Sequence, residues 1–129
     1  MTMWNDILGW NSEQLDDLRF VGYSYLKQGK FDIATNIFEG LALLSPESAY
    51  DLQTLGGLYL EMGNNLKALN TIEKALKIDP NHEPTLLNRA KAMFALGYRR
   101  QAMAQAKALQ ALPNQDISGQ ATALILAYT

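Results

Sequence analysis

The stretch "LEMGNNLKALNTIEKALKIDP", Leu60 to Pro80, reads as a helix end, a tight turn at Gly63, a second helix, and a stop at Pro80. Glycine reaches the left-handed backbone conformation without steric cost and so ends a helix cheaply, while proline has no amide hydrogen with which to continue one. The same punctuation recurs at a step of 34 residues, with Gly29, Gly63 and Gly97 in register. Ala34, Ala68 and Ala102 keep that step, as do Leu18, Leu52 and Leu86. Leu26 and Leu60 continue into Phe94, Tyr25 and Tyr59 into Met93, and Gly22 and Gly56 into Ala90. Pro46 and Pro80 follow it too, with Pro113 one residue early. A fixed short period of this kind is the signature of stacked copies of one supersecondary unit.

Within each unit the apolar residues fall at helical spacing. Leu52, Leu55, Leu58, Tyr59 and Met62 form one stripe, and Leu66, Leu69, Ile72, Leu76 and Ile78 contribute to the next. Each unit is therefore two antiparallel helices, and small residues at Gly22, Gly56, Ala90 and at Ala34, Ala68, Ala102 let their axes approach. One pair alone cannot cover its apolar faces, so the pairs must stack. The reading is an all-α chain with a short helical segment over 1–14, three units at 15–48, 49–82 and 83–116, and a capping helix over 117–129.

A chain of 129 residues with 48% hydrophobic side chains is one domain with enough apolar surface for a core. The absence of cysteine removes disulfide and thiolate chemistry and suits a reducing compartment. No apolar run reaches the roughly 20 residues that span a bilayer, and "MTMWNDILGW" lacks the basic residues of an export signal, which places the chain in the cytoplasm without membrane insertion. The net charge of -2 hides a gradient: residues 1–48 hold seven acids and three bases, residues 83–129 two and five. A net acidic chain is a poor nucleic-acid binder.

The usual constellations of an enzyme are missing. His82 is the only histidine and falls in the turn after Pro80, without companion ligands. Ser24 in "VGYSYL" lacks the glycine that a nucleophile elbow places after its serine. "LGGLYLEMG" has the wrong spacing for a phosphate loop. Asp16 and Asp17 are neighbours on one helix and so point in different directions. No catalytic residue, cofactor or metal site is expected.

Residues 52–80 resemble the tetratricopeptide repeat family, with Leu52, Leu55, Gly56, Tyr59, Gly63, Ala68, Ala75 and Pro80 at its signature positions. The first unit matches nearly as well through Gly22, Tyr25, Gly29, Phe31, Ala34, Phe38 and Pro46, whereas the third departs at Arg89, Ala90, Arg99 and Ala106. This resemblance implies a right-handed solenoid whose first helices line a concave, peptide-binding groove. The residues expected to project there are Tyr23, Leu26, Tyr50, Gln53, Gly57, Leu60, Leu87, Lys91 and Phe94. At helical spacing Leu26, Leu60 and Phe94 read equally as groove wall or as core. The heat-shock-tail-binding version of the fold clamps a terminal carboxylate with basic and amide side chains. Here Tyr23 and Leu87 occupy such places, and only Arg19 and Lys91 are of the right kind.

In the first unit "GKFDIATNIFEGLALLSPES", with Phe38, Leu41 and Leu44 at three-residue steps, is similar to the tetratricopeptide chaperones of bacterial type III secretion. That resemblance implies a chaperone whose partner is a secreted client, either the needle subunit or a translocator, held by an apolar extended or helical segment. The alternative is a general scaffold module bridging proteins in a larger assembly. Trp4, Ile7, Leu8 and Trp10 precede a cap-like "NSEQ" in which Asn11 and Gln14 fit a capping box. They either fold over the first unit or contact a second subunit, a cochaperone or another copy of the chain.

Overall fold

The computed structural model describes residues 10–129. They form seven α-helices: α1 Ser12–Lys27, α2 Phe31–Leu44, α3 Ala49–Glu61, α4 Asn65–Ile78, α5 Glu83–Ala95, α6 Arg99–Gln110 and α7 Gln115–Ala127. Asn11 and Gln14 make the reciprocal cap of α1, with Asn11 Oδ1 accepting from Gln14 N at 2.8 Å and Gln14 Oε1 accepting from Asn11 N at 2.9 Å. Two expected bounds move. The first helix begins at Ser12, ahead of residue 15, because Asn11 supplies its cap, and the last begins at Gln115 rather than Ile117, because Asn114 Oδ1 accepts from Asp116 N at 3.1 Å.

α1 and α2, α3 and α4, and α5 and α6 pack as antiparallel pairs, and α7 packs on α6 and α5. The turn inside each pair is the same. Gly29, Gly63 and Gly97 have φ of 76°, 77° and 86°, in the left-handed region. The residue after each glycine donates back across the turn, Lys30 N to Tyr25 O at 3.0 Å, Asn64 N to Tyr59 O at 2.8 Å and Tyr98 N to Met93 O at 2.8 Å. These bonds satisfy carbonyls that a helix end leaves without partners.

Helix contact inside the first two pairs rests on one missing side chain in each. A Cβ on Gly22 would lie 2.7 Å from Phe38 Cε2, and one on Gly56 would lie 2.7 Å from Ile72 Cγ1. The third unit carries Ala90 and Ala106 at the corresponding positions, a methyl added on one side and a ring removed on the other, and both are completely buried. The methyl added on one helix is thus accommodated by a much smaller residue opposite it. Around these contacts Leu15, Phe38, Leu41, Leu55, Leu58 and Ile72 form the main core. Smaller clusters join Leu87 to Leu109 and Ile117, and Met93 to Phe94 and Ala106.

Three polar bridges tie the units to one another. The carboxylate of Asp51 on α3, which has no exposure, accepts from Arg19 Nε at 2.7 Å and Nη2 at 2.8 Å, and Arg19 also reaches Asp16 at 2.7 Å. Tyr59 on α3 donates its hydroxyl to Glu39 on α2. Arg89 on α5 pairs with Glu73 on α4 and donates to Gln105 Oε1 on α6 at 3.0 Å.

Removing one partner of a buried ion pair strands the other charge, at a cost of about 3–5 kcal/mol. Arg19→Met is therefore expected to lower unfolding free energy by that order in urea titrations, and adding Asp51→Leu should restore much of the loss. Burial first, and the bond to Glu39 second, push the Tyr59 phenol up to about 12. The folded chain holds that proton more tightly than the unfolded chain, whose phenol titrates near pH ~10. This contribution is complete below pH ~10 and is lost as pH rises towards 12. Helical content followed by circular dichroism across that window should fall less in Tyr59→Phe than in the parent chain.

Candidate functional site

α1 stands off from α3, whereas α3 and α5 pack side by side. The standoff leaves a hollow of about 510 Å³ on the face of the first helices. Tyr23 and Leu26 form one wall, Tyr50, Gln53 and Gly57 the other, and Asn88 of α5 closes one end. Gly57 sets the depth, since even the nearest atom to a Cβ placed there, Asn88 Nδ2, is 3.5 Å away.

The two tyrosines present aromatic surface to solvent, at 44% exposure for Tyr23 and 47% for Tyr50. Lys27 Nζ lies 5.7 Å from the Tyr23 ring centroid, and Tyr50 meets Phe38 edge to face at 6.2 Å, so both rings are positioned by neighbours. The polar groups between them are largely engaged within the fold. Gln53 Nε2 donates to Asp79 Oδ2 at 3.3 Å, and the Thr54 hydroxyl donates to Tyr50 O at 2.8 Å. The rest of the lining is mainly apolar, with the Glu61 carboxylate and the Asn88 amide as its other polar groups.

Of the nine residues assigned to the groove from the sequence, the structure brings five together in this hollow: Tyr23, Leu26, Tyr50, Gln53 and Gly57. Leu87 and Phe94 are corrections. Leu87 is 3% exposed because α7 covers it with Ile117 and Ala121. Phe94 is 5% exposed, and the Tyr128 ring beyond the end of α7 stacks on it at 4.3 Å with an 11° tilt. Leu60 is half-buried against the main core, and Lys91 is half-buried and outside the hollow. The period did contain a better set. Thr54 and Asn88, one turn earlier than Leu58 and Ala92, line the hollow and share a register with Phe20, which is 71% exposed.

The residues set aside as catalytic take structural places. His82 is not a solvated turn residue: it occupies the position before α5, half-buried, with Nδ1 2.7 Å from the hydroxyl of buried Thr85. Ser24 donates to Phe20 O within its helix at 2.9 Å. Trp10 packs against the main core, whereas Trp4, Ile7 and Leu8 lie outside the described residues. Among the described residues no helix is long and apolar enough to cross a membrane.

A family model described as "Tetratricopeptide repeat" matches residues 52–82. Over 60 residues, 46% of the chain, the sequence is 37% identical to a protein named "Protein CTR9 homolog" of Arabidopsis thaliana, and the chain spans 6% of that protein's length. Among solved structures, the Yersinia enterocolitica type III secretion chaperone SycD in complex with a peptide of the translocator YopD aligns with a TM-score of 0.82 at 18% identity, over 92% of this chain and 94% of that one. PcrH in complex with the chaperone binding region of PopD gives 0.82 at 23%, over 92% of each chain. The first repeat domain of Spaghetti (RPAP3) bound to an HSP90 peptide gives 0.78 at 20%, over 91% and 94%. The chain has the tetratricopeptide repeat fold, and its likeness to the secretion chaperones extends through all three units.

Burial separates wall from core. Phe94→Ala is expected to cost about 3–5 kcal/mol in urea unfolding, whereas Tyr23→Ala, at an exposed site, should stay within about 0.5 kcal/mol of the parent chain.

Proposed function

We propose that this chain is a protein-binding chaperone that holds an apolar segment of a client along its first helices and performs no covalent chemistry. The observation that carries this reading is the hollow between Tyr23 and Tyr50, where aromatic surface is exposed and Gln53 and Thr54 are already bonded within the fold. Such a wall rewards apolar anchors, at about 25 cal/mol per Å² removed from water, less the cost of ordering the segment. The fold neighbour SycD is seen with a peptide of the translocator YopD, and PcrH with the chaperone binding region of PopD, which supports a type III secretion client, a translocator or needle subunit, met in the cytoplasm.

A carboxylate-clamping role is less well supported. Arg19, one of the two cations of the right kind, is committed to Asp51 and Asp16, and Leu87 is in the core. The scaffold reading draws on a different observation, the match of 60 residues to a small part of a much longer protein. Coexpression distinguishes the two, since a chaperone raises the soluble yield of an aggregation-prone client and a scaffold binds partners that are already soluble.

Gly57→Leu places a side chain in the hollow, with a Cβ that meets only Asn88 Nδ2 at an ordinary contact distance of 3.5 Å, and replaces glycine by a better helix former. It is expected to retain or raise the melting temperature while reducing copurification of a coexpressed translocator or needle subunit about tenfold or more. Full retention of the client by this variant would place binding elsewhere on the molecule.

A further inference from the structure

The outer face of the first two helix pairs carries a second hollow, of about 720 Å³, between α2 and α4. Its floor is apolar, formed by Leu52 and Leu55 of α3, and Leu43 and Ile78 stand on opposite rims, 80% and 45% exposed. Lys74 and Lys77 also line it, and neither is ion-paired within the described residues. The one carboxylate among the lining residues, Glu39, already accepts the Tyr59 hydroxyl.

The repeat supplies an internal comparison. One step of 34 residues turns Glu39 into Glu73, Leu55 into Arg89 and Thr71 into Gln105. In that next gap Arg89 pairs with Glu73 and donates to Gln105, so a polar bridge spans α4 and α6 from beneath. In the first gap leucine stands in place of the arginine and no such bridge forms among the described residues, while Leu52 and Leu55 lie at the bottom of the hollow with only 7% and 5% of their surface exposed.

We infer that this outer hollow is a second docking site, for an acidic segment of a partner protein that inserts a bulky apolar side chain over Leu52 and Leu55. The charge balance selects the occupant: two lysines outnumber the single carboxylate in the lining, Glu39, so acidic residues flanking the anchor gain attraction without displacing an internal ion pair. A basic segment is repelled by the same lysines. The site lies on the outer helices, so its occupation leaves the hollow at Tyr23 and Gly57 open.

Titration of the isotope-labelled full chain with the blocked peptide DELFED, followed by amide chemical shifts, tests this independently of client binding. Saturable shifts are expected at Leu43, Thr71, Lys74 and Lys77, weakening with added salt, and the peptide KKLFKK should produce none. Reversing both charges with Lys74→Glu and Lys77→Glu should lower affinity about tenfold or more, and Leu43→Gln should weaken binding without changing the melting temperature. The inference is overturned by an absence of saturable shifts, by shifts confined to the Tyr23 and Gly57 face, by equal binding of the basic peptide, or by affinity indifferent to the charge reversal.

Discussion

The close approach of the two helices in each pair is the constraint from which the rest follows. At Gly22 and Gly56 the backbone of one helix is met directly by Phe38 or Ile72 of its partner, at separations that leave no room for a Cβ. Every apolar contact on either side of that crossing depends on the axes being this near, because a gap of even half an ångström forfeits much of the dispersion energy of packed side chains. The left-handed glycines then return the chain so that the second helix runs antiparallel at that distance. Where the third unit replaces the glycine by alanine, the residue opposite is alanine too, so the added methyl meets a small partner and both stay buried.

Stacking is governed by a different set of interactions, and these decide where the surface is open. α1 stands away from α3, and the pair is spanned by Arg19 and the buried Asp51 carboxylate. The second junction is drawn together, with α3 against α5 and Arg89 linking α4 to α6. Both hollows consequently lie at the first junction, one on the inner face between Tyr23 and Gly57 and one on the outer face between Leu43 and Ile78. α7 closes the far end, covering apolar residues of α5 that a further unit would otherwise bury. The charges at the two hollows differ, with Glu61 in the inner lining and Lys74 and Lys77 in the outer one, so the two faces offer different electrostatic surroundings to anything that docks.

This division bears on function. A wall whose polar groups are satisfied internally discriminates by shape and apolar area, whereas a rim carrying unpaired lysines discriminates by charge. Two surfaces of different kinds on opposite faces allow two partners to be engaged at once. Neither surface requires a catalytic group, and the side chains that resembled one, His82 and Ser24, are engaged by Thr85 and by a helix carbonyl.

The sequence by itself determined the helix pairs, their turns and their order, because glycine at a left-handed turn, proline after a helix and small residues at a crossing act locally and recur at a fixed step. It also named five residues of the inner hollow correctly as neighbours, since the register of a helix fixes which side chains share a face. Only the tertiary structure decided that Leu87 and Phe94 are interior, because their fate depends on α7, a segment outside the repeat that folds back over them. It likewise decided the fate of Arg19 and Arg89. A charged residue read from the chain is equally consistent with a ligand contact or an internal bridge, and the outcome depends on which carboxylate, 16 or 32 residues away, the packed helices bring within reach.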